Sequence, residues 1–401
     1  MAGRRAWDPS RWPNRTVGLA AVLVSFWGAQ GLIAQPRGNW PTQTWRRALG
    51  EGRAGIIAER DRIYTAYRQP GSPLRETIVA CLNADTGATL WEFTTRTPPP
   101  QPDRGLGPGP DSTPLSLGDR IYARGTGGRV VAIDKSSGRS VWSLNLVTEH
   151  DASPDGLAGD FSPIAHSGSL IVAIGGGAEA VAAFSLESGM FLWKAGMVGR
   201  IRSTPRLIDV GNQIQLVVAG EQGMAGIDPI RGQVLWRDNQ AIADAPGGVT
   251  LAAFPPNILV VSSPAFGSRA SELRPVDGQT RVVQKWVNPE VAVSADVPAG
   301  SGHAFGMTID GRLAEVAVAT GRVTWINAPL RRARAVAADG RFLILAGDGT
   351  AALAETSRRR LTVLRQGTVP LNDPVARPTL AGTRVYMRDT RTIAAFELGS
   401  R

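Results

Sequence analysis

The chain of 401 residues carries 47 glycines and 28 prolines but only 6% aromatic residues, which favours many short strands and turns and argues against a protein built on long helices. Lys and Arg number 44 against 34 Asp and Glu, a net charge of +10 that admits an anionic partner such as lipid head groups or a cell-wall polymer, although a solvated basic surface is the simpler account. The one cysteine, Cys81, sits in an apolar run at 78–82; it excludes an intramolecular disulfide, a CxxCH haem attachment and a zinc site built of cysteines, and reads as a small buried hydrophobe.

In chain order, the first segment has the pattern of an export signal. Arg4, Arg5, Arg11 and Arg15 precede an uncharged, mostly apolar run at 17–34. Ala29-Gln30-Gly31 offers a small-x-small cleavage site before Leu32. Left uncleaved, residues 17–34 are just long enough to tether the chain, since a bilayer span takes ~20 residues. Residues 1–35 are therefore expected to be a signal peptide or an N-terminal membrane anchor, and residues 36–401 a domain in the periplasm or outside the cell. No cysteine follows the apolar run, which excludes a lipid-modified N-terminus.

The segment 44–49, around Trp45, has the character of a closing strand with no partners before it. One phrase then recurs: a small residue, a polar residue two positions on, a glycine four further and a tryptophan four beyond that. It reads Cys81, Asn83, Gly87, Trp91; Ala132, Asp134, Gly138, Trp142; Ala183, Ser185, Gly189, Trp193; Gly226, Asp228, Gly232, Trp236; and, more loosely, Glu315, Ala317, Gly321, Trp325. Trp286 closes a degraded copy that passes through 276–280. From Trp91 on, successive tryptophans stand 39 to 51 residues apart, the length of one four-stranded blade.

The second unit shows the strands directly, at 112–117, 120–124, 129–134 and 140–146, separated by Gly-Asp, Gly-rich and Ser-Ser-Gly turns. The polar residue and the glycine shape the last turn, because glycine adopts a backbone conformation that a Cβ penalises. The tryptophan then falls on the fourth strand, where its ring can pack between neighbouring units and its N–H can reach a carbonyl. At the far end, 377–381, 384–388 and 392–398 supply three strands, and the Trp45 segment supplies the missing fourth. With a tryptophan-less copy at 361–364, the count predicts an all-β, eight-bladed β-propeller closed by its N-terminal strand. Seven blades is the alternative, if 247–289 merges with a neighbour.

This repeated phrase resembles the tryptophan-docking motif of the pyrroloquinoline-quinone (PQQ) repeat family. Its propellers include quinoprotein alcohol and glucose dehydrogenases and the BamB-like periplasmic scaffold of the outer-membrane β-barrel assembly machinery. The resemblance covers residues 40–398 and speaks to fold rather than activity. It implies a non-catalytic, exported, monomeric scaffold for an envelope protein or anionic polymer; the alternative is a small quinoprotein-like oxidoreductase or ligand sensor using the central channel. The enzymes of the family hold calcium through carboxylates and amides, use an aspartate base and carry an adjacent-cysteine disulfide. Cys81 alone rules out that disulfide, so no cofactor is expected, with PQQ plus calcium as the alternative.

No catalytic or metal-binding residue stands out. The acidic stretch 149–155, ending near Asp160, reads as an exposed blade-connecting loop, and His150, His166 and His303 share no spacing that would bring them together. Glycine-rich stretches at 125–128, 175–177 and 347–349 read as turns, since no helix follows to aim amides at a phosphate. The Pro/Gly-rich run 98–110 reads as a raised connector. Arg331, Arg332 and Arg334, with Arg358, Arg359, Arg360 and Arg365, form a basic group suited to an acidic partner loop or anionic lipid; as a solvated edge, it would discourage strand pairing. The absence of interleaved aromatics argues against nucleic acid.

Overall fold

A computed structural model describes residues 40–399, apart from 71, 73–75, 97–108, 111, 126, 153–160, 176–178, 243–247, 295–301, 339, 358–359 and 372–375. The expected export signal at 1–35 thus lies outside the described residues, as do Arg358 and Arg359 and most of the connector at 98–110. Among the described residues no helix is long and apolar enough to cross a membrane.

The strands form eight separate four-stranded antiparallel sheets, seven of them with strands in simple sequence order. Blade 1 runs Ile57–Glu59, Arg62–Tyr67, Glu76–Asn83 and Thr89–Arg96. In blade 8, Thr379–Ala381, Arg384–Arg388 and Thr392–Glu397 are completed by Thr42–Ala48, which pairs with the strand before the C-terminus. The second and third strands are covered on both sides by neighbouring blades, so they are continuous apolar runs such as Ile121–Ala123 and Val130–Ile133. Fourth strands face solvent on one side and alternate, as in Phe191–Ala195.

Eight apolar clusters fill the eight seams between consecutive blades. Only a closed ring has as many seams as blades. The last seam joins Tyr386, Ile393 and Ala395 of blade 8 to Ile56, Ile63 and Leu82 of blade 1. Arg388, fully buried there, donates to Gly52 O, Ala54 O, Ala66 O and Thr65 Oγ1 at 2.8–3.1 Å, bolting blade 8 to the entry of blade 1.

The seven-blade alternative is excluded. Residues 250–288 form a complete blade of their own, Thr250–Phe254, Ile258–Ser263, Gly267–Val276 and Gln279–Asn288. Its repeat is obscured because the last hairpin is longer: Trp286 faces Ala270, sixteen positions away in sequence, where Trp142 faces Ala132, ten positions away. Two local differences also appear. The strand expected at 112–117 shortens to Leu115–Leu117, since Thr113 N turns to Ser162 Oγ of blade 3 at 3.0 Å. The expected loop from 149 instead begins inside a helical turn, Leu146–His150, capped by Asn145 Oδ1 accepting from Val147 N, while Glu149 Oε1 accepts from Asn145 N. Residues 153–160 of that loop lie outside the described residues.

Candidate functional site

The repeated phrase is a joint between blades. In each clear copy the small residue faces the tryptophan across the outer hairpin, as Cys81 faces Trp91 and Ala183 faces Trp193, and the register slips immediately beyond. The ring then lies on the glycine of the next blade: Trp45 on Gly87, Trp91 on Gly138, Trp142 on Gly189, Trp193 on Gly232 and Trp286 on Gly321. A Cβ on any of these glycines would meet the ring at 2.5–2.8 Å. Four indoles donate to the same carbonyl of the next blade, Trp45 to Ala84, Trp91 to Lys135, Trp142 to Leu186 and Trp286 to Val318, at 2.7–3.1 Å. Trp236 meets no such turn in blade 5 and donates instead to Gln215 Oε1 at 2.8 Å.

The polar residue of the phrase closes the turn from within. Asn83 Oδ1 accepts from Asp85 N and Thr86 N, and Asp228 Oδ1 from Ile230 N and Arg231 N. Around Asp134, the hydroxyls of Ser136 and Ser137 and the Ser137 N–H hold the carboxyl down to about 2. These carboxylates are committed to turns.

Blade 7 replaces the missing tryptophan with two residues. Arg365 occupies the tryptophan's register position, facing Leu353 with the same slip beyond. Its guanidinium lies 5.2 Å from the Trp40 ring centre, and Arg365 Nη1 and Trp40 Nε1 both donate to Leu398 O of blade 8, at 3.2 and 3.0 Å. Sequence reading grouped Arg365 with the basic cluster; its place opposite Leu353 marks it as part of the joint.

The remaining arginines divide across the width of the blade. Arg331 ends the fourth strand of blade 6, Arg332 forms the turn with φ +47°, and Arg334 opens the first strand of blade 7. Arg360 belongs to the last hairpin of blade 7, facing Ser357, and in the strand order of the sheet lies three strands from Arg334. The histidines also remain apart in role: His150 stacks on Phe191 and meets Phe184 edge-on, and burial lowers the pKa of both His150 and His166. No group of three or more metal-ligating side chains occurs among the described residues.

One cavity, of about 340 Å³, collects residues from five blades: Ser203, Thr204 and Arg206 of blade 4, Thr250, Ser262 and Ser263 of blade 5, Ser294 and Met307 of blade 6, Arg334 of blade 7 and Arg377 of blade 8. Only the axis of a ring touches five blades at once, so this is a mouth of the central channel. In blades 4, 5, 7 and 8 its lining lies near the start of the first strand, and in blade 6 along Val291–Val293 and just past it. Its described lining brings together three guanidinium groups and several hydroxyls, with no carboxylate. A calcium ion takes six to eight oxygen ligands, carboxylates prominent among them, and is repelled by arginine. The described lining therefore does not fit a calcium-held quinone.

Such a ring of docked tryptophans defines a PQQ-type propeller. The family model described as outer membrane protein assembly factor BamB matches residues 75–253 and 145–295, together more than half of the chain, and the protein belongs to that family. No curated protein matches the sequence. Among solved structures, BamB from Moraxella catarrhalis aligns with a TM-score of 0.58 at 14% identity, over 89% of this chain and 99% of that one. Quinohemoprotein alcohol dehydrogenase from Comamonas testosteroni aligns with 0.61 at 12% identity, over 90% of this chain and 76% of that one. A computationally designed protein, Ika8, is similar to the same degree, with 0.59 at 13% identity over 89% and 99%. An assembly factor, an enzyme and a designed protein share this fold, so the fold carries no activity.

Proposed function

We propose that this propeller is a non-catalytic scaffold of the cell envelope, exported by its N-terminal segment, that binds a partner protein or an anionic polymer on its loops. The observation that carries this reading is the family match to an outer-membrane assembly factor. Two features support it. The described lining of the channel mouth offers no carboxylate, the ligand that calcium favours and on which a calcium-held quinone would depend. The ring itself is rigid, with eight apolar seams and docked tryptophans, and so holds the exposed turn at Arg331 and Arg332 in a fixed position for a partner.

The test is photo-crosslinking of the full chain in its own envelope. A crosslinking side chain at Arg332 is compared with one at Gly118, in the turn between the first two strands of blade 2. The scaffold reading expects a discrete adduct that depends on position and persists in the presence of salt-washed membranes. Diffuse labelling, identical from both positions, would count against a loop-borne partner.

A further inference from the structure

We propose that the face of the ring bearing the turns between third and fourth strands rests on a lipid surface, with the apolar run 17–34 retained as its tether. This goes beyond the scaffold reading and stands or falls apart from it, since the turn at Arg331 and Arg332 lies on the opposite face, where Arg332 N donates to Gly311 O in the turn between second and third strands. Two observations from different parts of the ring converge on the turn-bearing face.

The first is where the described chain enters the ring. In blades 1–6 a turn carries the third strand into the fourth, and in blade 8 the two ends of the chain take its place. Thr42 pairs with Glu397, the last residue of the third strand, and Trp40 Nε1 donates to Leu398 O at 3.0 Å. Trp40 is buried and covered by the Arg365 guanidinium, so the point of entry is fixed. Only residues 35–39 separate it from the apolar run, a reach of about 20 Å when fully extended. That is no longer than the blade is tall, about 23 Å for the strand Thr42–Ala48, so a bilayer holding 17–34 meets the ring on its turn side.

The second is an apolar arc on the same face. Backbone bonds such as Lys135 N to Asp119 O and Leu186 N to Gly168 O join the two sets of turns there into one surface. Leu117 precedes the first turn of blade 2, Val141 and Leu192 immediately precede the docked tryptophans of blades 2 and 3, and Met190 and Ile230 belong to the turns of blades 3 and 4. All five are exposed, Met190 by 66% and Ile230 by 58%. The joints bring them together, because Trp142 lies on Gly189 beside Met190 and Trp193 lies on Gly232, two positions from Ile230. Where Val141 and Leu192 stand, blades 5, 6 and 8 carry Lys285, Thr324 and Thr44, so the apolar side chains are confined to one arc.

A contiguous apolar patch on a solvated ring marks a contact, and the tether supplies its occupant. A surface that meets this face at blade 8 continues beneath the neighbouring blades, where apolar side chains on turns suit the boundary between headgroups and acyl chains. Arg139 and Arg231, exposed in the same turns, are offset by exposed Asp119 and Glu187, so the contact does not depend on anionic lipid.

The experiment places the full-length chain in phosphatidylcholine liposomes with one nitroxide label, at Met190→Cys, Ile230→Cys or Ile309→Cys. It compares collisions with oxygen, which concentrates in lipid, and with a water-soluble nickel chelate. Cys81 is fully buried and stays unlabelled. Ile309, 73% exposed between the second and third strands of blade 6, is the control on the opposite face. The proposal expects an oxygen-to-nickel ratio several-fold higher at Met190 and Ile230 than at Ile309, unchanged when phosphatidylglycerol is added. Val141→Glu combined with Leu192→Glu, both at exposed positions, should bring the Ile230 label to the Ile309 value while the protein stays in the membrane fraction. Equal ratios at the three sites overturn the proposal, as does an Ile230 label indifferent to the two glutamates. So does N-terminal sequencing of the protein from its own envelope that starts at Leu32, a result that leaves the loop-borne partner of the scaffold reading untouched.

Discussion

Alanine at Gly138 tests the docking geometry most sharply. Gly138 has φ +68°, and a Cβ there would stand 2.6 Å from Cγ of Trp91. Gly278, in the corresponding hairpin of blade 5, has φ +74° but nothing within 4 Å. Both substitutions force a side chain into the left-handed region, at about 1–2 kcal/mol. Only Gly138→Ala also drives a methyl group into an aromatic ring, which adds about 1–3 kcal/mol of overpacking. The expected losses are thus roughly 2–5 kcal/mol at Gly138 and 1–2 at Gly278. In a Trp91→Ala background the steric part vanishes, so a double-mutant cycle should return about 1–3 kcal/mol of coupling, with Gly138→Ala cheaper once the ring is gone. Urea unfolding followed by far-UV circular dichroism supplies the four free energies. Equal losses at the two glycines, or a cycle that closes to zero, would refute the claim that this joint is a ring seated on a glycine.

Further expectations follow from the same structure. Arg388→Met should cost about 3 kcal/mol or more, because it strands several buried acceptors at the seam that closes the ring; a melting temperature within a degree of the parent contradicts that role. Removing residues 1–48 exposes the strand Thr392–Glu397 as an open edge and should convert a monodisperse protein into aggregates, read by light scattering. Asp134 has a folded-state pKa below its ordinary value, so the stability it contributes is present above about pH 4 and lost as pH falls toward 2; Asp134→Asn should flatten the melting profile in that window. Cys81 is fully buried and its thiol is pushed up to about 11, first by burial, so Ellman's reagent should label it only as the protein unfolds.

Five blades were legible directly because each of them carries its own tryptophan and glycine at a spacing set by one hairpin, a local rule that survives divergence. It failed at Trp286, where lengthening of the hairpin moved the ring from ten to sixteen positions beyond its partner. It failed differently at Arg365. There the ring is supplied by Trp40, hundreds of residues away in sequence and adjacent only once the ends meet. The arginine cluster looked continuous because Arg334 and Arg360 are close in sequence, yet the blade places one on its first strand and the other on its last hairpin. The channel mouth was invisible to pattern reading for a related reason. Its residues come a few at a time from five blades, in stretches too short to show any period.

The measurement that bears most directly on the central claim is a thermal melt of the full-length protein with calcium and PQQ together, against each alone. A channel mouth whose described lining holds arginines and hydroxyls but no carboxylate predicts no stabilisation that requires both. A shift that appears only with the pair would mean that calcium is seated beside the quinone. That result would contradict the scaffold reading and make the propeller a quinoprotein.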